Sequence, residues 1–555
     1  MKIRLAVLIV LLSVIAAAQS DAAEDAVSAL DARIAVLFEP WDKPDSPGAV
    51  VAVSRDGKTI YQRAFGLANL TYGLPFTPDT RVNAGSIAKH VTAVAVLTLE
   101  AEGKLSLDDE IHRYLPELPD YGAPITIRDL LQQTSGLRDY RTLMFLAGWR
   151  EGDVQTNQQA LQIIFRQKGL NFPTGKSFAY SNSNFVLAAE IVSRVTSQSF
   201  GAWARDHLFA PLGMNHTLVR EDNAMIVPGL AASYAPSESG DGFTEDLLNS
   251  SVAGSGNLIT TVDDLLIWAE HLMTAQVGGQ PLLDRLEEQA TLPGGVRPGY
   301  GLGVFVGSHR GLKIVHHGGE TAGNRADLMI FPDQHVAIAL LANSRSIRPE
   351  AAARAIADIV LADELPGPPA SPEQESKLSL AFDAYMGLYK LESGSLIEIG
   401  RADGQPFVIL GGTPPHPLYS LGEHQFGTGE AGVVFRFVPD EGGHIGSVVL
   451  EIAGRPDLTG HRLPPVTLSE RALSKYAGAY YSDELETYYH IRPASDGLIA
   501  GQMRLRDVRL MPIGGDKFLE RPGGNMVVTF RRRGGRIRGF DLSVSRAQHI
   551  TFEKQ

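Results

Sequence analysis

Ser86 and Lys89 are the residues whose types and spacing best suit nucleophilic chemistry. They lie in residues 83–90, and the apolar run at 91–97 predicts a turn leading into a buried helix. Residues three apart share a helix face, and a lysine removed from water can act as a base because burial favours its neutral form. Unpaired backbone N–H groups of the first turn also favour developing negative charge. Alone, the spacing more often marks a capping serine with a solvated lysine.

The tripeptide Tyr180-Ser181-Asn182 is a second candidate, on a loop between the turn at 172–175 and a predicted helix. Residues two apart in an extended segment point the same way, so Tyr180 and Asn182 would face one cleft. A tyrosine beside a lysine ammonium loses its proton more easily and can relay it. The alternative is an interface aromatic with a satisfied hydroxyl.

The third candidate is the strand end His316-His317-Gly318-Gly319. Glycines there let a substrate lie along the strand edge, and the backbone N–H groups of Gly319 and Ser86 would form an oxyanion hole. Paired histidines also raise the question of a metal, but neighbours on a strand point to opposite faces and no carboxylate-rich motif accompanies them. We therefore expect no metal and no cofactor. Either histidine could face the cleft, and His316 is preferred.

Together the three motifs resemble the serine β-lactamases and penicillin-recognising hydrolases. The order and spacing of Ser86-Ile87-Ala88-Lys89, Tyr180-Ser181-Asn182 and His316-His317-Gly318 are similar to the class C β-lactamase-like group, which contains D-aminopeptidases and esterases. The stretches 125–137, 211–214 and 256–261 add to the resemblance, which spans roughly residues 30–360.

The resemblance implies a mechanism. Ser86 would attack a carbonyl, Lys89 and Tyr180 would move the proton, and Asn182 would orient the substrate or Lys89. The family often has Lys-Thr-Gly where this chain has histidine, which is mostly neutral at pH 7. That favours D-aminopeptidase-like or esterase-like activity on a small molecule or short peptide. The alternatives are a β-lactamase or DD-peptidase, and a slowly deacylating penicillin-binding sensor.

A Ser-His-Asp hydrolase is the main enzymatic rival to this interpretation. Such an enzyme typically carries Gly-x-Ser-x-Gly at the turn between a strand and a helix, and the sequence contains no such pentapeptide.

The surrounding elements predict an α+β fold. Asp56-Gly57 between apolar runs at 48–53 and 59–65 indicates a hairpin. The remaining predicted elements are helices at 127–131, 184–195, 262–273 (capped by Thr261 or Thr260) and 349–361, and strands at 300–306, 313–315, 326–331 and 336–341. They describe an antiparallel sheet flanked by helices, with a helical lobe.

Domain boundaries follow from changes in composition. We predict a β-lactamase-like domain at 24–363, a proline-rich linker at 364–376, and two small all-β, barrel-like domains at 377–465 and 466–555. The last two share a faint repeat, Tyr385-Met386-Gly387-Leu388-Tyr389 and Tyr476-Ala477-Gly478-Ala479-Tyr480.

The N-terminus and the composition bear on localisation and partners. Lys2 and Arg4 precede an apolar run and small residues, which predicts a signal peptide at 1–23, cleaved after Ala18 or Ala23. The 555 residues include no cysteine, which fits an exported protein, periplasmic or secreted, without disulfides. A net charge of −13 argues against nucleic acid, and the arginine-rich turn at 531–538 is interpreted as a solvated edge. No transmembrane segment is expected in the mature chain, and a homo-oligomer is left open.

Overall fold

The computed structural model describes residues 28–150, 152–237, 239–366, 380–392, 395–402, 404–410, 415–428, 433–452, 457–520 and 524–555. These residues divide into two compact units. The first takes in the described residues of Met1–Tyr140, Arg150–Phe165 and Phe172–Pro369; the second takes in Arg141–Trp149, Arg166–Asn171 and the described residues of Ala370–Gln555. The predicted signal peptide and most of the predicted linker lie outside the described residues.

The first unit is built on a six-stranded antiparallel sheet. Its strands are β1 Ala49–Arg55, β2 Lys58–Phe65, β3 Phe305–His309, β4 Leu312–Thr321, β5 Asn324–Phe331 and β6 Val336–Ala342. Their order is β3-β4-β5-β6-β1-β2, so the pairing of β1 with β6 joins two distant parts of the chain. Every residue of β6 is buried, as expected for a central strand covered on both faces.

The turn between β1 and β2 confirms the predicted hairpin. Arg55 pairs with Lys58, which leaves a two-residue loop. Asp56 and Gly57 have φ angles of 51° and 71°. Positive φ at both central positions is what a type I′ hairpin turn requires, and these two residue types adopt it with little strain.

Four longer helices frame the sheet: α1 Ala88–Ala101, α2 Asn182–Thr196, α3 Val262–Thr274 and α4 Pro349–Val360. Helix α3 packs against β1 and β6, α4 packs against β5 and β6, and α1 packs against α2. Thr261 caps α3 by accepting a hydrogen bond from Asp264 N–H, as predicted. The shorter helices of the first unit are Ile127–Leu131, Asn157–Phe165, Phe200–Ala204, Ala210–Leu212 and Leu282–Leu286, whereas Tyr140–Leu146 lies almost wholly in the second unit.

Short strands complete the first unit. They pair as Leu67–Asn69 with Leu74–Pro75, Tyr234–Pro236 with Phe243–Glu245, Gln276–Val277 with Gln280–Pro281, and Leu258–Thr260 between Val82–Asn83 and Leu218–Val219.

One predicted strand is wrong in its first half. The strand predicted at 300–306 begins only at Phe305. Before it the chain turns tightly against neighbouring backbone: a Cβ on Gly301 would lie 2.1 Å from the carbonyl oxygen of Leu286, and one on Gly303 would lie 2.8 Å from that of Lys89. Gly303 also has a φ of 81°, which an extended strand does not allow.

The second unit is mainly β structure, and the predicted fold class is confirmed. One sheet has nine strands: Gly387–Leu391, Leu396–Ala402, Gln405–Leu410, His416–Pro417, Tyr419–Gly422, Gln425–Gly427, Val433–Pro439, Ile445–Ile452 and Leu458–Arg462. A closed barrel follows, of Gly478–Ser482, Thr487–Pro493, Leu498–Gly501, Val508–Gly514, Lys517–Glu520, Val527–Arg533, Arg536–Val544 and Ala547–Lys554.

The faint internal repeat has a structural counterpart. The hydroxyl of Tyr389 donates to the carbonyl of Tyr385 at 2.8 Å, and that of Tyr480 donates to the carbonyl of Tyr476 at 2.6 Å. Both donors are buried, so each hydroxyl is satisfied inside its own β structure.

Two segments from the middle of the chain belong to the second unit. Tyr489 of the barrel donates its hydroxyl proton to the carbonyl of Leu146 at 3.0 Å. Lys168 N–H donates to Glu484 at 2.8 Å, and Gln548 N–H donates to the side chain of Asn171 at 2.8 Å. Residues 141–149 and 166–171 therefore pack with the barrel although they precede it by more than three hundred positions.

No helix in the described part of the chain is both long and apolar enough to cross a membrane.

Candidate active site

Ser86 lies in a single 3-10 turn, Gly85–Ile87, immediately before α1. The side chain of Asn83 holds this turn by accepting a hydrogen bond from Gly85 N–H at 3.0 Å. Asn83 in turn donates to Asn257 at 3.1 Å. Ser86 is partly exposed while both its neighbours are buried, so it is the residue of this turn that solvent can reach.

Lys89 is wholly buried, with 0% of its surface exposed. Its Nζ lies 3.0 Å from Ser86 Oγ, 2.9 Å from Asn182 Oδ1 and 2.8 Å from the carbonyl oxygen of Ser255. These are hydrogen-bond distances to three oxygens on three separate parts of the chain. The structure thus brings the predicted residues Ser86, Lys89 and Asn182 together.

Asn182 begins α2, and its side chain is fixed from the other side by Asp139. Asp139 Oδ2 accepts from Asn182 Nδ2, so Asn182 Oδ1 must be the atom that faces Lys89. Two roles are expected for Asn182, contact with the substrate or orientation of Lys89. The structure shows the contact with Lys89. Gln133 anchors the same loop, because its Oε1 accepts from Ser181 N–H at 2.9 Å.

Tyr180 lies above the lysine. Lys89 Nζ is 4.8 Å from the centroid of its ring, within cation–π distance. The ring also meets Tyr300 edge-on at 6.1 Å and His317 at 5.9 Å. Burial raises the pKa of the Tyr300 hydroxyl well above its usual value, so this neighbour stays neutral.

His317, rather than the preferred His316, lies beside these residues, so that preference is wrong. Ile314 packs with α4 in the core, and His316, two residues further on, shares its face of β4. His317 therefore points to the opposite face. The sequence alone does not show which histidine faces Lys89, because a one-residue shift in strand register exchanges the two faces of the strand.

The hydrogen bonds of His317 define a neutral imidazole. Its Nδ1–H donates to the carbonyl of Gly318 at 2.6 Å, which leaves Nε2 to accept from the Tyr300 hydroxyl at 3.3 Å. Burial, reinforced by the positive charge of Lys89, lowers the pKa of His317 well below its usual value. The position therefore offers no positive charge near neutral pH.

The edge of β4 lies against the Ser86 turn. The last β3–β4 pair joins Phe305 to His316, so β4 continues to Thr321 without β3 beside it. A Cβ on Gly319 would lie 1.9 Å from the carbonyl oxygen of Ala84 and 3.2 Å from Ser86 N. Only glycine allows this approach, which brings the two predicted oxyanion groups close together.

Several residues at the site carry no motif in the sequence. Asp139 lies just beyond the stretch 125–137 and carries no motif of its own, and Ser255 contributes only a backbone carbonyl. Tyr300 lies in the half of the predicted strand 300–306 that does not form. Glu320 N also lies at the turn, 2.9 Å from where a Cβ of Gly85 would be.

Comparisons with known proteins agree with this architecture. The family model described as Beta-lactamase matches residues 30–362. A D-aminopeptidase from Brucella melitensis is 24% identical over 517 residues, which cover 92% of this chain and 96% of that protein.

Two solved structures share the fold. The octameric penicillin-binding protein homologue from Pyrococcus abyssi has a TM-score of 0.55 at 22% identity, covering 79% of this chain and 99% of its own. The D-amino acid amidase from Ochrobactrum anthropi SV3 has a TM-score of 0.52 at 22% identity, covering 60% of this chain and 99% of its own.

Proposed function

Because the chain belongs to the Beta-lactamase family and is a serine hydrolase, we propose that it cleaves amides or esters through an acyl-enzyme on Ser86, with D-amino amides or short esters as preferred substrates. The observation that carries the proposal is the 3.0 Å contact between Nζ of the fully buried Lys89 and Oγ of the partly exposed Ser86. A serine hydroxyl becomes a nucleophile when a base within hydrogen-bond distance takes its proton.

As an ammonium, Lys89 donates to all three oxygens, Ser86 Oγ included, and the proposed reaction uses its neutral amine form. Such an amine has two N–H groups and one lone pair. Asn182 Oδ1 and the Ser255 carbonyl can only accept, so they take the two N–H groups. The lone pair is then directed at Ser86, whose O–H donates to it.

The reaction follows from this arrangement. The Ser86 proton passes to Lys89 as Oγ bonds to the carbonyl carbon, and the oxyanion is held by backbone N–H groups at Ser86 and Gly319. Tyr180, over the lysine, relays the proton to the leaving amine or alkoxide as its bond to carbon breaks. Water then attacks the ester of Ser86, and the carboxylic acid departs as Oγ regains a proton.

The substrate class rests on the histidine in place of a lysine. A lysine at this strand position would supply a cation for a substrate carboxylate, whereas His317 is buried and hydrogen-bonded as a neutral ring. The aromatic rings of Tyr180, Tyr300 and Phe305 around it favour an uncharged or aromatic substrate group. The likeness to a D-aminopeptidase along most of the chain supports the same class.

A substrate panel tests the proposal. D-alanyl and D-phenylalanyl p-nitroanilides, their L-enantiomers, short-chain p-nitrophenyl esters and a chromogenic cephalosporin are compared by kcat/KM. We expect D-amino amides or esters to exceed the cephalosporin, with Ser86→Ala as the inactive control. Fastest turnover of the cephalosporin would instead establish a β-lactamase.

Mass spectrometry separates the hydrolase from a non-catalytic sensor. A fluorophosphonate should label Ser86 in the native protein and leave Ser86→Ala unlabelled. A stable β-lactam adduct without turnover of any amide or ester would favour the slowly deacylating sensor. A native protein that takes up no label would rule out the acyl-enzyme.

Export and assembly are further parts of the proposal. The N-terminal pattern and the lack of cysteine support export, and N-terminal sequencing of protein secreted by a bacterial host should locate cleavage after Ala18 or Ala23. Cytoplasmic protein with an intact N-terminus would contradict export. We also infer a homo-oligomer, by analogy with the octameric homologue, and light scattering should give a mass above that of one chain.

A further inference from the structure

His316, Asp327 and Glu350 meet on the face of the sheet opposite Lys89. They come from β4, β5 and the first turn of α4, and one donor atom from each lies within 4.8 Å of the others. Gly318 pairs with Asp327 and Met329 pairs with His316, so the histidine and the aspartate are diagonal neighbours on adjacent strands. The sequence showed no carboxylate near the histidine pair because both carboxylates come from other elements.

Asp327 is the unusual member of this cluster. Its side chain is fully buried, and among the described residues neither carboxylate oxygen has a hydrogen-bond partner. The Nδ1 atom of His316 is likewise buried and without a partner there. A buried carboxylate without a partner is costly, and such groups are normally paired or bound to a metal.

The separation of the two groups also fits a shared ligand. His316 Nδ1 and Asp327 Oδ2 are 3.8 Å apart, too far for a hydrogen bond. Two ligands of one tetrahedral metal ion, each at about 2.0–2.1 Å from it, lie about 3.3 Å from each other. A small movement would therefore allow both to bind one ion, and the half-exposed Glu350 has the freedom to complete the set.

We propose that His316, Asp327 and Glu350 bind one divalent first-row cation of the Zn²⁺ type. One imidazole and two carboxylates are a ligand set that such ions accept, with a fourth position left for water. The guanidinium of Arg354 competes with the metal ion for the carboxylate of Glu350. It donates to Glu350 Oε1 at 2.9 Å, which leaves Oε2 for the metal. That pair is partly exposed, so its rearrangement costs little.

The ion would have a structural role. It would tie β4 and β5 to α4 behind the strand whose other face carries His317. The hydrolytic steps at Ser86 and Lys89 use none of these groups, so the inference stands apart from the proposed function.

Zn²⁺ titration of the EDTA-treated full-length protein tests the site, with calorimetry for affinity and elemental analysis for stoichiometry. We expect one Zn²⁺ per chain and a higher melting temperature on binding. Asp327→Asn and Glu350→Gln should each weaken binding at least tenfold. His335→Gln, which removes another histidine paired with a carboxylate, should bind like the native protein.

Two outcomes would overturn the proposal: no saturable binding by the native protein, or equal affinity in the native protein and both carboxylate variants. Glu350 is half-exposed, so Glu350→Gln carries the test even where Asp327→Asn fails to fold.

Discussion

Asp139 Oδ2 accepts hydrogen bonds from both the backbone N–H and the side-chain amide of Asn182, at 2.7 and 2.8 Å. One buried carboxylate oxygen thus fixes where α2 begins and which way its first side chain faces. The Asn182 oxygen is left to hold Lys89. Asp139 holds Asn182, and Asn182 holds Lys89, so Asp139 is a positioning residue for the amine that lies next to Ser86.

Replacement of Asp139 by Asn should impair turnover more than substrate binding. The introduced amide has an oxygen that can accept from Asn182, but also an NH₂ group that would face the same donors and cannot accept from them. The side chain of Asn182 therefore loses its fixed orientation. We expect kcat to fall ten- to hundredfold with KM within threefold, and the pH profile of kcat to shift as the setting of Lys89 changes. Asp206→Asn, in an exposed pair with Arg205, is the control. Equal losses in both variants would contradict the positioning role.

Replacement of Lys89 by Met should remove activity with little change in shape. The variant deletes the base beside Ser86 and leaves Asn182 Oδ1 and the Ser255 carbonyl without their donor. We expect kcat/KM to fall at least a thousandfold, with loss of fluorophosphonate labelling. Lys104→Met, at an exposed lysine paired with Glu102, should retain both. Labelling of Lys89→Met at the native rate would show that another group activates the serine.

Gly319→Ala should distort the oxyanion site. The added Cβ would meet the carbonyl oxygen of Ala84 at 1.9 Å, so the strand must move away from the Ser86 turn. We expect a loss of at least tenfold in kcat/KM and a lower melting temperature. Gly307→Ala, on β3, meets nothing closer than 3.8 Å and should behave like the native protein. Native kinetics in Gly319→Ala would separate Gly319 from the reaction.

His90 should make the fold sensitive to acid. Burial, with smaller contributions from His316 and Lys89, lowers its pKa to about 3, whereas a histidine in the unfolded chain has a pKa of about 6.5. Below that value the unfolded chain takes up a proton that the folded chain refuses, so stability falls as pH drops. Between pH 7 and pH 5 this amounts to about 2 kcal/mol of unfolding free energy.

Denaturant unfolding of His90→Met checks this effect. Neither ring nitrogen of His90 has a partner among the described residues, so the substitution breaks no hydrogen bond. Between pH 7 and pH 5, the unfolding free energy of the variant should fall by about 2 kcal/mol less than that of the native protein. His444→Met, at an exposed histidine, should show the native pH dependence. Equal acid sensitivity in His90→Met would assign the effect to other groups.

Local periodicity explains which parts of the site the sequence predicted. Ser86 and Lys89 were found because helical spacing alone places them on one face, and the β1–β2 hairpin was found because Asp56-Gly57 satisfies its turn. The orientation of His316 and His317 depends on strand register, which a short apolar run does not define. Asp139, Ser255 and Asp327 act through contacts across the fold, and no pattern near them in sequence records those contacts.

The grouping of residues 141–149 and 166–171 with the barrel bears on the order of folding during synthesis. Both segments leave the ribosome more than three hundred residues before the strands that contact them, such as Thr487–Pro493 and Ala547–Lys554. Until those strands are made, the polar backbone and apolar side chains of these segments lack their native partners. A nascent chain halted near the predicted linker would therefore expose them, and the exposed segments would be open to proteases and chaperones.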